Sequence, residues 1–321
     1  MKHLIIIVVV CLSISLQGQT LEKFSIDSGG ASATVGGIEI LYTLGEVNVQ
    51  ELSTGNIQVS EGFINSNMKI KIDPKLFLQG PLLNPASAGL MNDDLRQNIL
   101  IPITSPYADT ANCNASVFSV TGANAIVDWV WIELRAANDN TKIINAHSAL
   151  IQRDGDVVDL DGISNLIMIA APTNYYVVVK HRNHIGAMSA STIALNESTT
   201  TVVDFTNNSF STYGSNSQVV LDSGNTALWA GDTNGIGQVR FSGANNGSNT
   251  IKDFVLADPA NGFNSVTFSS TGYLNADLNM DGSGKFSGSG NDSNVIKDNV
   301  LSHPGNGFNS PTFTILSTVP N

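Results

Sequence analysis

The chain has 321 residues, a formal net charge of -12 and only 13% charged residues. That length supports two or three modules with cores of their own. The acidic balance excludes a nucleic-acid partner, because such a surface has nothing with which to neutralise phosphate.

Met1-Lys2-His3 is a short basic start, and Leu4–Leu16 is a near-continuous apolar run too short to cross a bilayer comfortably. Gln17-Gly18-Gln19 follows. The pattern predicts a secretory signal peptide over 1–19, cut near Gly18 or Gln19. Cys11 lies inside the apolar run, unlike a lipid-anchored cysteine. Removal of the peptide leaves Cys113 alone, so no internal disulfide is expected. No later segment is long and apolar enough for a transmembrane helix. The expected location is extracellular or the bacterial cell surface.

Residues 20–70 read as a small N-terminal β module. Alternation in Thr34-Val35 and Ile38–Tyr42 flanks a Gly36-Gly37 turn. Val47-Asn48-Val49 and Ile57-Gln58-Val59 continue it across Ser53-Thr54-Gly55-Asn56. Residues 71–225 read as an antiparallel β-sandwich. Val127–Arg135 is apolar on both faces and is expected to be central. Ile143–Gln152, Leu166–Ala171, Tyr175–Lys180, Thr192–Leu195 and Thr200–Phe205 are further strands, separated by turn residues at strand-like intervals. Asn207–Leu228, rich in Ser, Asn, Thr and Gly, reads as an edge strand or linker. The fold class is therefore mostly β.

Two polar groups in the sandwich invite attention. Asp154, Asp156, Asp159 and Asp161 cluster around two Asp-Gly pairs. They read mainly as turn residues facing water, with a calcium or sugar site as the sharper reading. His181, Arg182 and His184 follow the strong strand 175–180. They read as a hydrogen-bonded hairpin turn or as a polar ligand-binding tip; as a metal pair the two histidines lack a third ligand at a telling spacing. The chain has no Gly-x-Ser-x-Gly elbow, His-Glu-x-x-His or phosphate loop, so a non-catalytic protein is expected.

Residues 226–321 contain an internal repeat. Asp277, Asn279 and Asp281 place oxygen-bearing side chains at alternate positions, and Gly282 follows where a sharp turn is required. That is the opening of an EF-hand-type calcium loop, with Ser283 offering its carbonyl. The twelfth position is Gly288, so Asp292 is the nearest closing carboxylate and the residues before it must bulge out. Asp232 and Asn234 open a matching loop roughly 45 residues earlier. This first site is weaker, because Ile236 and Gly247 stand where Asp281 and Asp292 do. Each loop leads to an expected helix that starts at Ser248 or Ser293 and stops at Pro259 or Pro304. Asn261-Gly262-Phe263-Asn264-Ser265 and Asn306-Gly307-Phe308-Asn309-Ser310 close the two copies.

Loop followed by helix, twice, resembles a dockerin, whose paired calcium loops plug into a partner module. Tyr42–Val47 with Glu61-Gly62-Phe63 resembles an N-terminal piece of proteins exported by the type IX route. Lys75–Pro81, Met91–Arg96, Ala125–Arg135, Ser148–Gly162 and Tyr175–Ser189, together with both repeats, resemble a family of secreted bacterial hemagglutinin-like proteins. The resemblance implies surface location or release, and calcium in the repeats. The expected function is that of a secreted surface or adhesion-type protein whose calcium-stabilised repeats dock or rigidify. A cohesin-like or surface protein and a glycan are the partner classes implied. The alternatives are a carbohydrate-binding accessory component of a polysaccharide-degrading assembly and a hydrolase with an unrecognised site.

Overall fold

The structure is a computed structural model that describes residues 68–320 and four strands before them. The signal peptide expected over 1–19 lies outside the described residues. The chain forms two compact units, Met1–Asn67 and Met68–Asn321. In the first, β1 (Gly30–Val35) pairs antiparallel with β2 (Ile38–Thr43), and β3 (Glu51–Thr54) with β4 (Ile57–Ser60). The first hairpin falls where alternation and Gly36-Gly37 predict it; in the second, the strand before the turn is Glu51–Thr54 rather than Val47–Val49, so Ser53 and Thr54 belong to a strand and not to the turn.

In the second unit, β5 is Lys69–Lys75, and a single helical turn, α1, spans Asp94–Gln97. Then come β6 (Ile126–Ala136), β7 (Asp139–Gln152), β8 (Val157–Val158), β9 (Leu166–Ile169), β10 (Thr173–Lys180), β11 (Ala187–Met188), β12 (Ile193–Leu195) and β13 (Thr201–Asp204). One sheet runs β11-β10-β6-β7-β8, with β12 also on β10; a second runs β13-β5-β9. Ile70 and Ile72 of β5, Leu166 and Met168 of β9, and Val203 of β13 share one core with Trp129, Ile132 and Leu134 of β6. The two sheets are thus layers over a common apolar interior. β6 is central, as its two-faced apolar sequence requires. The pairing is antiparallel except between β5 and β13, which run parallel, a departure from the expected all-antiparallel sandwich. Asn207–Leu228 folds back as the short hairpin β14 (Val219–Val220) and β15 (Thr226–Ala227).

The repeats continue the same unit, so residue 225 marks no break in packing. Repeat one contains β16 (Gln238–Arg240), α2 (Gly247–Ala257) and β17 (Ser269–Thr271). Repeat two contains β18 (Ser283–Lys285), α3 (Asp292–Ser302) and β19 (Thr314–Leu316). The strands interleave: β16 pairs with β19, and β17 with β18. Ile251, Val255, Ile296 and Val300 of the two helices meet in a core of their own. The helices begin one or two residues earlier than the serines suggest. Asn246 and Asn291 are the true caps, accepting from the Asn249 and Asn294 N–H groups at 2.8 and 2.9 Å. Ser248 and Ser293 instead hydrogen-bond each other where the repeats meet. Both helices stop just before Pro259 and Pro304, as expected.

Candidate metal centre

The second loop is built by hydrogen bonds that its own carboxylates accept. Asp277 takes the Asp281 N–H at 3.1 Å and the Gly282 N–H at 2.8 Å. Gly282 has φ +90°, a conformation that favours glycine. After the loop the chain bulges out through Gly288–Asn291 and returns at the start of α3. There Asp292 accepts from the Leu278 N–H at 2.7 Å, from Asn279 at 3.3 Å and from Lys285 at 2.8 Å. The structure therefore brings Asp292 to Asp277 across the insertion. Both residues are 0% exposed.

Their electrostatics follow from that burial. The Asp277 carboxyl is pushed up to about 8 by desolvation and by the nearby Asp292 charge, against the pull of Arg182. Asp292 is pushed up to about 7, chiefly by desolvation, although three backbone N–H groups oppose the rise. Two buried acids whose nearby cation, Arg182, is already paired with Asp128 are costly to ionise together, and a hard cation relieves that cost. The remaining donors are oxygens as well. Asn279 and Asp281 lie on the rim, where Asn279 Nδ2 is 3.2 Å from Asp281 Oδ2. Asp281 also accepts the Ser283 N–H at 2.9 Å and lies 3.6 Å from Lys285 Nζ. Among the described residues no three His, Cys, Asp or Glu side chains converge in a metal-holding cluster. Closure onto an ion therefore requires Asp281 to leave Lys285 and turn inward. The residues that would hold such an ion are Asp277, Asn279, Asp281, the Ser283 carbonyl and Asp292, a donor set of oxygens alone, as calcium requires.

The first loop keeps the shape and lacks the charge. Asp232 accepts the Ile236 and Gly237 N–H groups at 3.0 and 2.8 Å, as Asp277 does in its own copy. Asn234 is exposed, Ile236 is 58% exposed, and Gly247 packs beside Ile296 and Thr233. One carboxylate in a hydrogen-bonded turn stabilises the turn by itself, so the weaker site offers only Asp232 and Asn234.

The loop is fastened to the sandwich by the segment after β10. His181, Arg182, Asn183 and His184 lie in the connection between the antiparallel strands β10 and β11, the hydrogen-bonded hairpin turn of the two expected readings, and all four are buried. Arg182 and Asn183 reach the repeats, far along the chain. Asn183 Nδ2 donates to the Asp277 carbonyl at 2.7 Å, and Arg182 donates to the Leu274 carbonyl. Arg182 also lies 4.2 Å over the Tyr273 ring. Asp128, beside a bulge in β6, takes Arg182 Nε at 3.0 Å, His181 Nε2 at 3.1 Å and the Tyr273 hydroxyl at 2.5 Å.

Gly80 donates its N–H to His184 Nε2 at 3.1 Å, which puts the His184 proton on Nδ1. That nitrogen faces His181 Nδ1 at 3.0 Å, and His181 passes its own proton side to Asp128. Burial holds both imidazoles below their usual value. The His-His-Asp row resembles a catalytic relay in outline, but a backbone amide caps its outer nitrogen, so no lone pair is free to act as a base.

Gln79 crosses to the repeats at the same junction, whereas Met91 and Arg153 tie the sandwich to itself. Gln79 bonds Asn299 of α3 at 2.7 Å and the Ala230 N–H at 3.0 Å. The Met91 N–H reaches the Arg153 carbonyl at 2.8 Å, and Arg153 Nε returns to the Met91 carbonyl at 2.7 Å. Met280, the fourth loop residue, is buried in the sandwich core. The acidic cluster resolves into turns: Asp156 pairs with Lys75, and Asp161 accepts the Ile163 and Ser164 N–H groups at 2.9 and 2.8 Å.

Gly80 is the closest point of this junction. A Cβ there would lie 1.9 Å from the Leu278 carbonyl oxygen, a backbone atom that cannot step aside. Gly80→Ala should therefore cost about 1–3 kcal/mol in urea denaturation, with the loss appearing in sandwich and repeats together. No family model, curated protein or solved structure matches this chain.

Proposed function

We propose that the chain is a secreted, non-catalytic surface protein of the adhesion or docking type, whose C-terminal repeats bind calcium in the Asp277–Asp292 loop. The observation that carries this reading is the pair of fully buried, mutually opposed carboxylates, Asp277 and Asp292, within an oxygen-only loop. The clamp of Arg182 and Asn183 on that loop gives the ion a purpose: it would lock the tail against the sandwich and hold the surface of the repeats in a fixed presentation. The dockerin-like order of loop and helix and the resemblance to hemagglutinin-like proteins support the same reading, and a cohesin-like or cell-surface protein is the partner class it implies.

Calorimetric titration of the full chain with Ca²⁺ tests it. One binding event is expected, with a dissociation constant on the order of 10⁻⁵ to 10⁻³ M. Asp277→Ala combined with Asp281→Ala should abolish the heat. A protein that takes up no calcium, or a variant that takes it up unchanged, would end the proposal.

A further inference from the structure

Phe263 and Phe308 are each 98% exposed and stand at equivalent positions in the two repeats. Full exposure of a phenylalanine is unfavourable, and here it occurs twice on the same rigid support. Asn261 Nδ2 donates to the carbonyls of Val255 and Ser265, both at 2.9 Å, and its Oδ1 accepts the Ser265 N–H at 2.8 Å. Asn306 makes the same three bonds to Val300 and Ser310 at 2.7, 2.9 and 2.9 Å. Asn264 and Asn309 both adopt φ +49° just after the ring. The loop is thus held by its asparagines and serines, and the phenylalanine contributes nothing to that hold. Elsewhere the copies have diverged: Phe254 of α2 corresponds to Asn299 of α3, and Asp258 to His303. The exposed ring remains in both.

We propose that Phe263 and Phe308 are two equivalent stacking platforms for a neutral polysaccharide. The segments 259–268 and 304–313 carry no charged residue. Each ring is surrounded in sequence by amides, hydroxyls and backbone, which matches a sugar with an apolar C–H face and a rim of hydroxyls. A net charge of -12 opposes anionic polymers and anionic membranes alike. Duplication of one small site suits a ligand that is itself a chemical repeat, because a polymer long enough to reach both rings multiplies two weak contacts. The inference takes up the binding role proposed above and does not depend on the metal.

The test is affinity electrophoresis of the full chain through gels containing amylose, xylan, mannan or mixed-linkage β-glucan. At least one polymer should retard the protein. Phe263→Ala or Phe308→Ala should each weaken retardation about tenfold, and the double variant should run freely with an unchanged melting temperature. Free migration of the unaltered protein in all four gels, or equal retardation of the double variant, would overturn the proposal. Ring-dependent flotation with phosphatidylcholine vesicles would assign the rings to lipid instead and overturn it as well. The Ca²⁺ titration repeated on the double variant keeps the readings apart: an intact heat leaves the metal site standing whatever the gels show.

Discussion

Replacing Asp128 with alanine should destabilise the unit by about 3–5 kcal/mol, the usual consequence of stranding a buried charge. Asp128 is 0% exposed and faces Arg182, whose side chain is 4% exposed. Without the carboxylate, the guanidinium, His181 and the Tyr273 hydroxyl lose their shared acceptor at once. Asp128→Asn keeps the shape and removes the charge, so its loss should be large as well, which separates electrostatics from packing. Urea unfolding is the measurement, and a loss below about 1 kcal/mol would contradict the burial argument. Burial alone would raise the Asp128 carboxyl, but Arg182, His181 and Tyr273 outweigh it and hold the group at about 2. Its folded value is therefore depressed. The stability it contributes is present above the ordinary carboxylate range near 3.8 and is lost as pH falls through about 2.

The second large effect has the opposite sign. Asp277 and Asp292 have folded values raised to about 8 and about 7 from 3.8. A raised group favours the folded state fully below its unfolded value and loses that contribution as pH climbs through the folded one. Metal-free protein should therefore lose stability between roughly pH 4 and pH 8, by about 1.4 kcal/mol per pH unit for each carboxyl still protonated. Calcium needs the ionised forms, so it should restore most stability near pH 8 and little near pH 5. Melting temperatures with calcium and with chelator across that range provide the check. Asp277→Asn with Asp292→Asn should flatten the metal-free slope and erase the calcium response. A chelated protein that is most stable at pH 8 would contradict the argument.

Much of this architecture was legible before the fold. The strand-long apolar run 127–135 announced a central strand, and β6 is one. The alternation Asp277, Asn279, Asp281 with Gly282 announced the loop. Counting past Gly288 to Asp292 found the acid that returns to it. The role of His181–His184 was hidden for a physical reason. Four polar residues after a strong strand look like a solvated turn, and only partners distant in sequence, Gly80, Asp128, Leu274 and Asp277, make them interior. The short strands β17 and β19 were also invisible, because each is stabilised by a partner from the other repeat rather than by its own pattern. The capping asparagines were in plain view, but the neighbouring serines, equally good caps in isolation, masked them.

Interleaved strands make the two copies mutually dependent. With β16 completed by β19 and β17 by β18, neither half owns a finished sheet, and a chain cut between them would leave two open edges. With such shared scaffolding, the first copy can stay folded on the strands of the second even though it has fewer acids of its own. Ile236 and Gly247 are the uncharged residues that stand in the first copy where the second has Asp281 and Asp292.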